Sequence, residues 1–73
     1  MQFVNIRYKE LRKRLGLTQE QIAQKLGITQ SAWARMESGG VQDIRVSTLF
    51  HICKTLNVSA DWLLGLSEES GIR

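Results

Sequence analysis

Apolar residues recur at spacings of three and four along almost the whole chain, with polar residues between them. This is the period of an α-helix that buries one face. The first such stripe consists of Val4, Tyr8, Leu11 and Leu15, on a helix that ends at Gly16. The sequence contains no proline, no alternating strand pattern and no internal repeat. The pattern therefore predicts an all-α fold.

Two short helices follow, and each begins at a threonine that can cap it. Thr18 stands three residues before Gln21, which fits a capping box, and Gly27 can end this second helix. Thr29 is a suitable cap for a third helix, which the pattern continues to about Ser38. Because so few residues separate the two helices, they form one tightly joined pair.

The second half of the chain predicts two more helices after a polar loop. Asn57 ends the fourth helix, and Ser59 caps a short fifth helix that ends at Leu64. The apolar stripe of the fourth helix comprises Val46, Leu49, Cys53 and Leu56. We expect one helical domain over residues 1–66 and a loose polar tail over residues 67–73.

Composition and charge narrow the class of protein. The 73 residues carry ten basic and seven acidic side chains, a net charge of +3, and eight of the basic side chains precede residue 46. A chain of this length buries only about 60% of its unfolded surface, which leaves little room for a deep catalytic cleft. No apolar run approaches the roughly 18 residues of a membrane span, and the N-terminus lacks the apolar stretch of a secretory signal. We expect a cytoplasmic, unprocessed protein with an anion-facing first half and no membrane partner.

Catalytic and metal-binding chemistry is not indicated. His51 and Cys53 are two residues apart and point to different faces of a helix, and a lone cysteine forms no internal disulfide. The carboxylates without metal-ligand spacing to this pair are Asp43, Asp61, Glu68 and Glu69. The sequence therefore predicts no enzyme, no cofactor and no metal.

The stretch QEQIAQKLGITQSAWARMES, which starts at Gln19, carries the pattern of a helix-turn-helix. Ala23 lets the two helix axes approach closely, and Gly27 can adopt the left-handed conformation of the turn. The apolar residues that wedge the helices at a fixed angle are Ile22, Leu26, Ile28, Trp33 and Met36. Each feature is common alone, but their joint occurrence between two capping threonines is specific.

The chain here resembles the phage repressor and Cro (Xre-like) family of helix-turn-helix regulators over about residues 4–66. The segments that carry the resemblance are YKELRKRLGLTQEQIAQKLGITQS, WARMESG and TLFHICKTLNVSADWLLG. The resemblance implies a compact five-helix, lambda-repressor-like domain with the helix-turn-helix in helices 2 and 3. The loop VQDIR departs from the family pattern, because Gly40 and Ile44 stand where many relatives have a basic residue and a proline.

In such a fold the third helix enters the major groove and the second crosses the phosphate backbone of double-stranded DNA. The candidate base contacts on the third helix are Gln30, Ser31, Ala32 and Arg35. Gln30 suits adenine and Arg35 suits guanine, and the resemblance implies that Ala32 contacts a thymine methyl. The candidate phosphate contacts are Thr18, Gln19 and Thr29, and the resemblance implies that Gln19 also braces Gln30.

Simpler interpretations stay open for several of these polar residues. Gln30 and Ser31 could be solvated residues at a helix start, and Arg35 could pair with a carboxylate or reach a phosphate. Lys13 and Arg14 could either contact phosphates or only solvate the first helix.

Three residues are expected to be structural. Trp33 lies on the inward stripe, so we interpret it as a core residue and not as a stacking platform. The resemblance implies a partly buried ion pair between Arg12 and Glu37, which links the first helix to the end of the third.

The sequence thus favours a sequence-specific DNA-binding transcriptional regulator that represses by occupying a promoter. One such module covers only about 600–1,000 Å² on DNA, so we expect a homodimer on a pseudo-palindromic operator. The predicted dimer surface comprises Phe50, His51, Trp62, Leu63, Leu66 and the residues that follow Leu66. The alternative is an antitoxin or an adaptor whose main partner is a protein, for example a toxin. The polar face of the third helix favours DNA, since an adaptor needs no base-reading side chains there.

Overall fold

The computed structural model describes residues 6–39 and 43–72, and these two ranges contain five helices and no strand. The helices are α1 (Tyr8–Arg14), α2 (Gln19–Leu26), α3 (Gln30–Glu37), α4 (Val46–Leu56) and α5 (Ala60–Leu63). The predictions of an all-α fold and of five helices in this order are therefore confirmed. The predictions for Val4 and for Gly40 lie outside the described residues.

The caps at the starts of α2 and α3, and the turn between these helices, form as the sequence predicts. The hydroxyl oxygen of Thr18 accepts the backbone N–H of Gln21 at 3.1 Å, and the side chain of Gln21 accepts the backbone N–H of Thr18 at 2.9 Å. Thr29 accepts the backbone N–H of Ala32 at 3.1 Å. Gly27 ends α2 at a φ of +70°, a left-handed conformation in which a side chain is strained. Local hydrogen bonds thus set both helix starts and the turn.

The core forms where all five helices meet. Trp33 and Trp62 are fully buried, and the ring of Tyr8 meets that of Trp33 edge to face at 5.5 Å between centroids. The buried apolar side chains are Tyr8, Leu11, Ile22, Ala23, Leu26, Trp33, Ile52, Leu56, Val58, Trp62 and Leu63. Because this core contacts both helices of the helix-turn-helix, it fixes how α3 is presented to the solvent.

The burial of three apolar residues differs from what the sequence pattern predicts. Val46 is 81% exposed, whereas Ile52, which the predicted stripe left out, is buried. α4 packs on the core through Ile52 and Leu56, with Leu49 and Cys53 partly buried, and its first residue, Val46, extends beyond the core. Ile28, predicted to help wedge α2 against α3, is 37% exposed because it lies in the turn between them.

His51 links α4 to the end of α2. Its Nε2 lies 2.8 Å from the backbone carbonyl oxygen of Leu26, and its Nδ1 lies 3.3 Å from the hydroxyl of Thr55. A carbonyl only accepts, so Nε2 carries a proton and donates to Leu26. The ring satisfies one of the carbonyls that a helix end leaves without an intrahelical partner.

The segment after α5 is not loose over residues 67–72, contrary to the prediction. The backbone N–H of Ser59 donates to the carbonyl of Ser70 at 2.7 Å, and Ile72 packs half-buried against the core. Glu68 forms an ion pair with Arg7 at 2.9 Å. The prediction rested on the polar composition of this segment, in which Ile72 is the single apolar residue.

Candidate nucleic-acid interface

The start of α3 presents a polar surface to the solvent. Gln30, Ser31 and Arg35 are all exposed, and Arg35 lies one helical turn after Ser31. Ala32 is half-buried beside them. Trp33 points in the opposite direction and is fully buried, so the helix has one face fixed in the core and one face open. The structure thus places the four candidate base contacts along α3 from its first residue, Gln30, to Arg35 in its last turn, away from the buried side of Trp33.

Arg35 takes no part in the ion pairs found within residues 6–39 and 43–72. Besides the backbone bonds of the helix, Arg35 is engaged there only through its carbonyl, which accepts from the hydroxyl of Ser38 at 3.0 Å. Within these residues Arg35 does not pair with a carboxylate, which was one of the alternatives for its role. Its guanidinium, with five donors in a fixed fork, can reach a ligand outside the protein.

The candidate phosphate contacts lie at the starts of α2 and α3. The hydroxyls of Thr18 and Thr29 act as helix caps and can still donate their own protons. Gln19 is half-buried at the first position of α2. Its side-chain nitrogen donates to Glu37 at 3.4 Å, and within the described residues no hydrogen bond joins it to Gln30.

Glu37 lies at the centre of a hydrogen-bonded cluster that joins α1, α2 and α3. Its carboxylate accepts from Arg12 Nε at 2.6 Å and from Arg12 Nη2 at 3.1 Å, as well as from the indole N–H of Trp33 and from Gln19. Arg12 also donates to the carbonyl of Leu17 at 3.2 Å. The side chain of Glu37 is only 6% exposed. The structure therefore brings Arg12 and Glu37 together as the resemblance implied, in a larger cluster.

The pKa of Glu37 follows from these contacts. Burial on its own raises the pKa of this carboxyl group, because it disfavours the charged form. The hydrogen bonds from Arg12, Trp33 and Gln19, together with the charge of Arg12, outweigh burial and lower the pKa below its ordinary value of 4.5. Glu37 is therefore ionised at neutral pH and accepts from all of its donors.

A groove with a volume of about 490 Å³ runs between α3 and the start of α4. Its walls include Ala32 and Arg35 from α3 and Thr48 from α4, with Arg45 at the N-cap position of α4. Arg45 thus places a second exposed arginine across the groove from Arg35. The sequence analysis did not select Arg45, although a basic residue directly before a helix start is a signal that could have identified it.

The floor of this groove includes Tyr8. Burial, helped by the negative charge of Asp43, raises the pKa of Tyr8 to about 12, so its hydroxyl stays protonated at neutral pH. Within the described residues this hydroxyl has no hydrogen-bond partner. The lining thus combines a neutral aromatic side chain with the two arginines and the carboxylate of Asp43.

Lys13 and Arg14 differ in their surroundings. Lys13 is exposed, whereas Arg14 pairs with Glu10 at 3.2 Å and lies over the ring of Trp62 at 5.0 Å. Arg14 is therefore engaged with α5 and not with the polar face of α3.

The part of the chain that the structure describes contains no group of three or more His, Cys, Asp or Glu side chains arranged to hold a metal ion. Of its helices, none has the length and the apolar character needed to span a membrane.

Comparisons with known proteins agree with this geometry. A family model described as helix-turn-helix matches residues 9–63. YqaE of Bacillus subtilis (strain 168), an uncharacterized HTH-type transcriptional regulator, is 43% identical over 56 residues, which cover 77% of this chain and 47% of YqaE. YobD of the same organism, also an uncharacterized HTH-type transcriptional regulator, is 33% identical over 63 residues, which cover 86% of this chain and 55% of YobD.

The chain spans about half the length of these curated relatives. The family match nevertheless covers the helix-turn-helix and the helices that pack against it. The chain therefore belongs to the helix-turn-helix family, a class of DNA-binding domains and not of enzymes.

Proposed function

We propose that this domain binds double-stranded DNA sequence-specifically, with α3 in the major groove. The observation that carries the proposal is the contrast between the two faces of α3. Trp33 is buried and tied to Glu37, while Gln30, Ser31 and Arg35 lie exposed at the other side. A rigid helix with unengaged donors on its open face fits base readout in the major groove.

Base contacts are proposed for Gln30, Ser31, Ala32 and Arg35. The amide of Gln30 matches the donor and acceptor pair of adenine, and the guanidinium of Arg35 matches the two acceptors of guanine. The methyl group of Ala32, half-buried beside them, suits a thymine methyl. These contacts supply specificity, while phosphate contacts supply most of the salt-dependent affinity.

Phosphate contacts are proposed for Thr18, Gln19 and Thr29, and we add Arg45. The first three flank the starts of α2 and α3, where backbone N–H groups and the helix dipole favour an anion. Arg45 lies across the groove from Arg35, so the two arginines can engage a DNA backbone and a base edge side by side. The net charge of +3 favours the same partner.

We infer a role in transcriptional regulation from the relatives, which are named as HTH-type transcriptional regulators. Repression by occupancy of a promoter is the simplest mechanism for a domain of this size. Such a protein acts in the bacterial cytoplasm, where the chromosome lies.

A homodimer on DNA is proposed because two half-sites give the specificity that one module lacks. The domain measures 28 × 27 × 21 Å, so two touching protomers fit half-sites one helical turn, about 34 Å, apart. Trp62 and Leu63 are fully buried in the core, so their predicted place in the dimer surface is wrong. Phe50, His51 and Leu66 are exposed and stay candidates, together with Val46, one turn before Phe50 on α4.

A protein partner is the second candidate function, and the same exposed apolar side chains favour it. Phe50 is 64% exposed and Val46 is 81% exposed. These side chains add little to the core and leave apolar surface that a partner can cover. An antitoxin could use this surface for a toxin while α3 binds DNA. Gel filtration of the pure protein with and without DNA separates a homodimer from a monomer that awaits a different partner.

The experiment for DNA binding starts with a random-sequence duplex library from which the protein selects its preferred sequence. Fluorescence anisotropy then measures the affinity for the selected duplex and for a scrambled duplex at about 50 and 200 mM salt. We expect the selected duplex to bind at least about a thousandfold more tightly, with two protomers per site. Failure of the library to enrich any sequence, with equal weak binding of both duplexes, contradicts the proposal.

A further inference from the structure

We propose that Glu37 is a positioning residue for DNA binding, which orients the side-chain amide of Gln19 toward a phosphate. This inference rests on the proposed function and concerns a residue that itself touches no DNA. It assigns the cluster at the end of α3 a second role beside holding the helices together.

The orientation of the Glu37 carboxylate is fixed by the groups around it. Oε2 accepts from Arg12 Nε and from the indole of Trp33, while Oε1 accepts from Arg12 Nη2 at 3.1 Å and from Gln19 Nε2 at 3.4 Å. The two-point contact with Arg12 restrains rotation of the carboxylate by itself, and the bond to Trp33 adds a third contact on Oε2. The atom to which Gln19 bonds is therefore held in place by α1 and α3.

An ionised carboxylate only accepts hydrogen bonds, so it determines which end of the Gln19 amide turns toward it. The nitrogen must face Glu37, and the pKa of Glu37 lies below its ordinary value, which maintains this preference at neutral pH. One N–H of Gln19 is used, and the second N–H stays available for another acceptor. Without Glu37 the amide can turn over and present its oxygen, which a phosphate repels.

The charge of Glu37 is compatible with a nearby phosphate because Arg12 neutralises it at a distance of 2.6 Å. Gln19 is also the first residue of α2, where backbone N–H groups lack intrahelical partners. A phosphate bound there accepts from the backbone and from the oriented amide together. Gln19 thus connects the ion pair of Arg12 and Glu37 to the DNA backbone.

The test measures the affinity of the wild-type protein, Glu37→Gln, Gln19→Ala and the double variant for the selected duplex and for a scrambled duplex. The amide of Gln19 is uncharged, so loss of its phosphate contact removes a sequence-independent hydrogen bond and no charge that releases counterions. We expect each single variant to bind both duplexes about three- to tenfold more weakly, with unchanged base preference. The double variant should lose no more than Gln19→Ala alone.

Trp33→Phe is the matched control, because it removes one bond to Oε2 and leaves the bond between Oε1 and Gln19. It should lower the melting temperature and leave the affinity for both duplexes unchanged. If Glu37→Gln lowers stability and keeps the wild-type affinity for both duplexes, its role is structural only and the inference is overturned. If the wild-type protein itself shows no sequence preference, the proposed function fails, which is a separate outcome.

A second measurement requires no variant to fold. In the ¹H–¹⁵N spectrum of the wild-type protein, the side-chain amide signals of Gln19 should shift as Glu37 is protonated at low pH. The same signals should shift at neutral pH when the selected duplex is added. Signals that respond to neither change overturn the inference.

Discussion

At the scale of single residues, the ion pair of Arg12 with Glu37 is the most consequential contact in the domain. The side chains are 17% and 6% exposed, so removing one partner leaves a charge with little access to water. Arg12→Met should therefore lower the free energy of unfolding by about 3 kcal/mol, measured by urea denaturation. Lys13→Met at the neighbouring exposed position should change it by less than about 0.5 kcal/mol. Equal effects of the two substitutions contradict this account.

The same carboxylate gives the stability a pH dependence with a definite sign. The pKa of Glu37 is lowered in the folded protein, so its contribution is present above the ordinary pKa of 4.5 and is lost as the pH falls through the folded pKa. Urea denaturation of the wild-type protein and of Glu37→Gln should differ most at neutral pH. The difference should shrink below about pH 4.5. A constant difference down to pH 2.5 argues against an ionised, paired Glu37.

At the scale of helices and turns, Gly27 controls the angle at which α3 follows α2. Its φ of +70° is strained for a residue with a side chain, although a Cβ atom at this position meets no other atom within 4 Å. Gly27→Ala should therefore cost about 1–2 kcal/mol from backbone strain alone, measured by thermal denaturation. Gly27→Asn should cost less, since asparagine tolerates this conformation. A larger loss for Asn than for Ala is inconsistent with strain as the cause.

The helix-turn-helix could be predicted from the sequence because its signals are local. Thr18, Gln21 and Thr29 bond to the backbone within three residues, and Gly27 ends α2 whatever packs on it. The inward face of α4 could not be predicted in the same way. Apolar residues at 46, 49, 52, 53 and 56 allow more than one helical stripe, and only the position of the core selects the one that includes Ile52.

At the scale of the whole molecule, the two ends of the described chain meet beside Trp62. Arg7 lies over this ring at 5.2 Å, pairs with Glu68 and donates its backbone N–H to the carbonyl of Leu63. Ile72, four residues after Glu68, packs against the core. These contacts join residues more than fifty positions apart, so no local pattern indicates them.

The packing of Ile72 is testable by stability. Ile72→Ala should lower the free energy of unfolding by about 1 kcal/mol, since a half-buried side chain loses part of its burial. Leu66→Ala serves as the control, because Leu66 is 70% exposed and should contribute little. Urea denaturation compares the two variants. If Ile72→Ala is as stable as the wild type, the tail is loose as its polar composition suggests.

The candidate base contacts could be placed on one face from the sequence, because helical spacing alone separates Ser31 and Arg35 from Trp33. The cluster around Glu37 is larger than the sequence indicated, since Gln19 and Trp33 approach it from different directions in space. Arg45 was missed because its place across the groove from Arg35 depends on how α4 packs.

The central claim is that the open face of α3 reads base edges, and comparison of selected DNA sequences tests it most directly. The wild-type protein and Arg35→Ala each select from the same random duplex library, and the two enriched motifs are aligned. The account predicts that Arg35→Ala loses the preference at one base pair in each half-site, keeps the others, and binds the wild-type site about 1–3 kcal/mol more weakly. An unchanged motif with uniformly weaker binding would show that Arg35 contacts phosphate, and an unchanged motif with unchanged affinity would contradict the account.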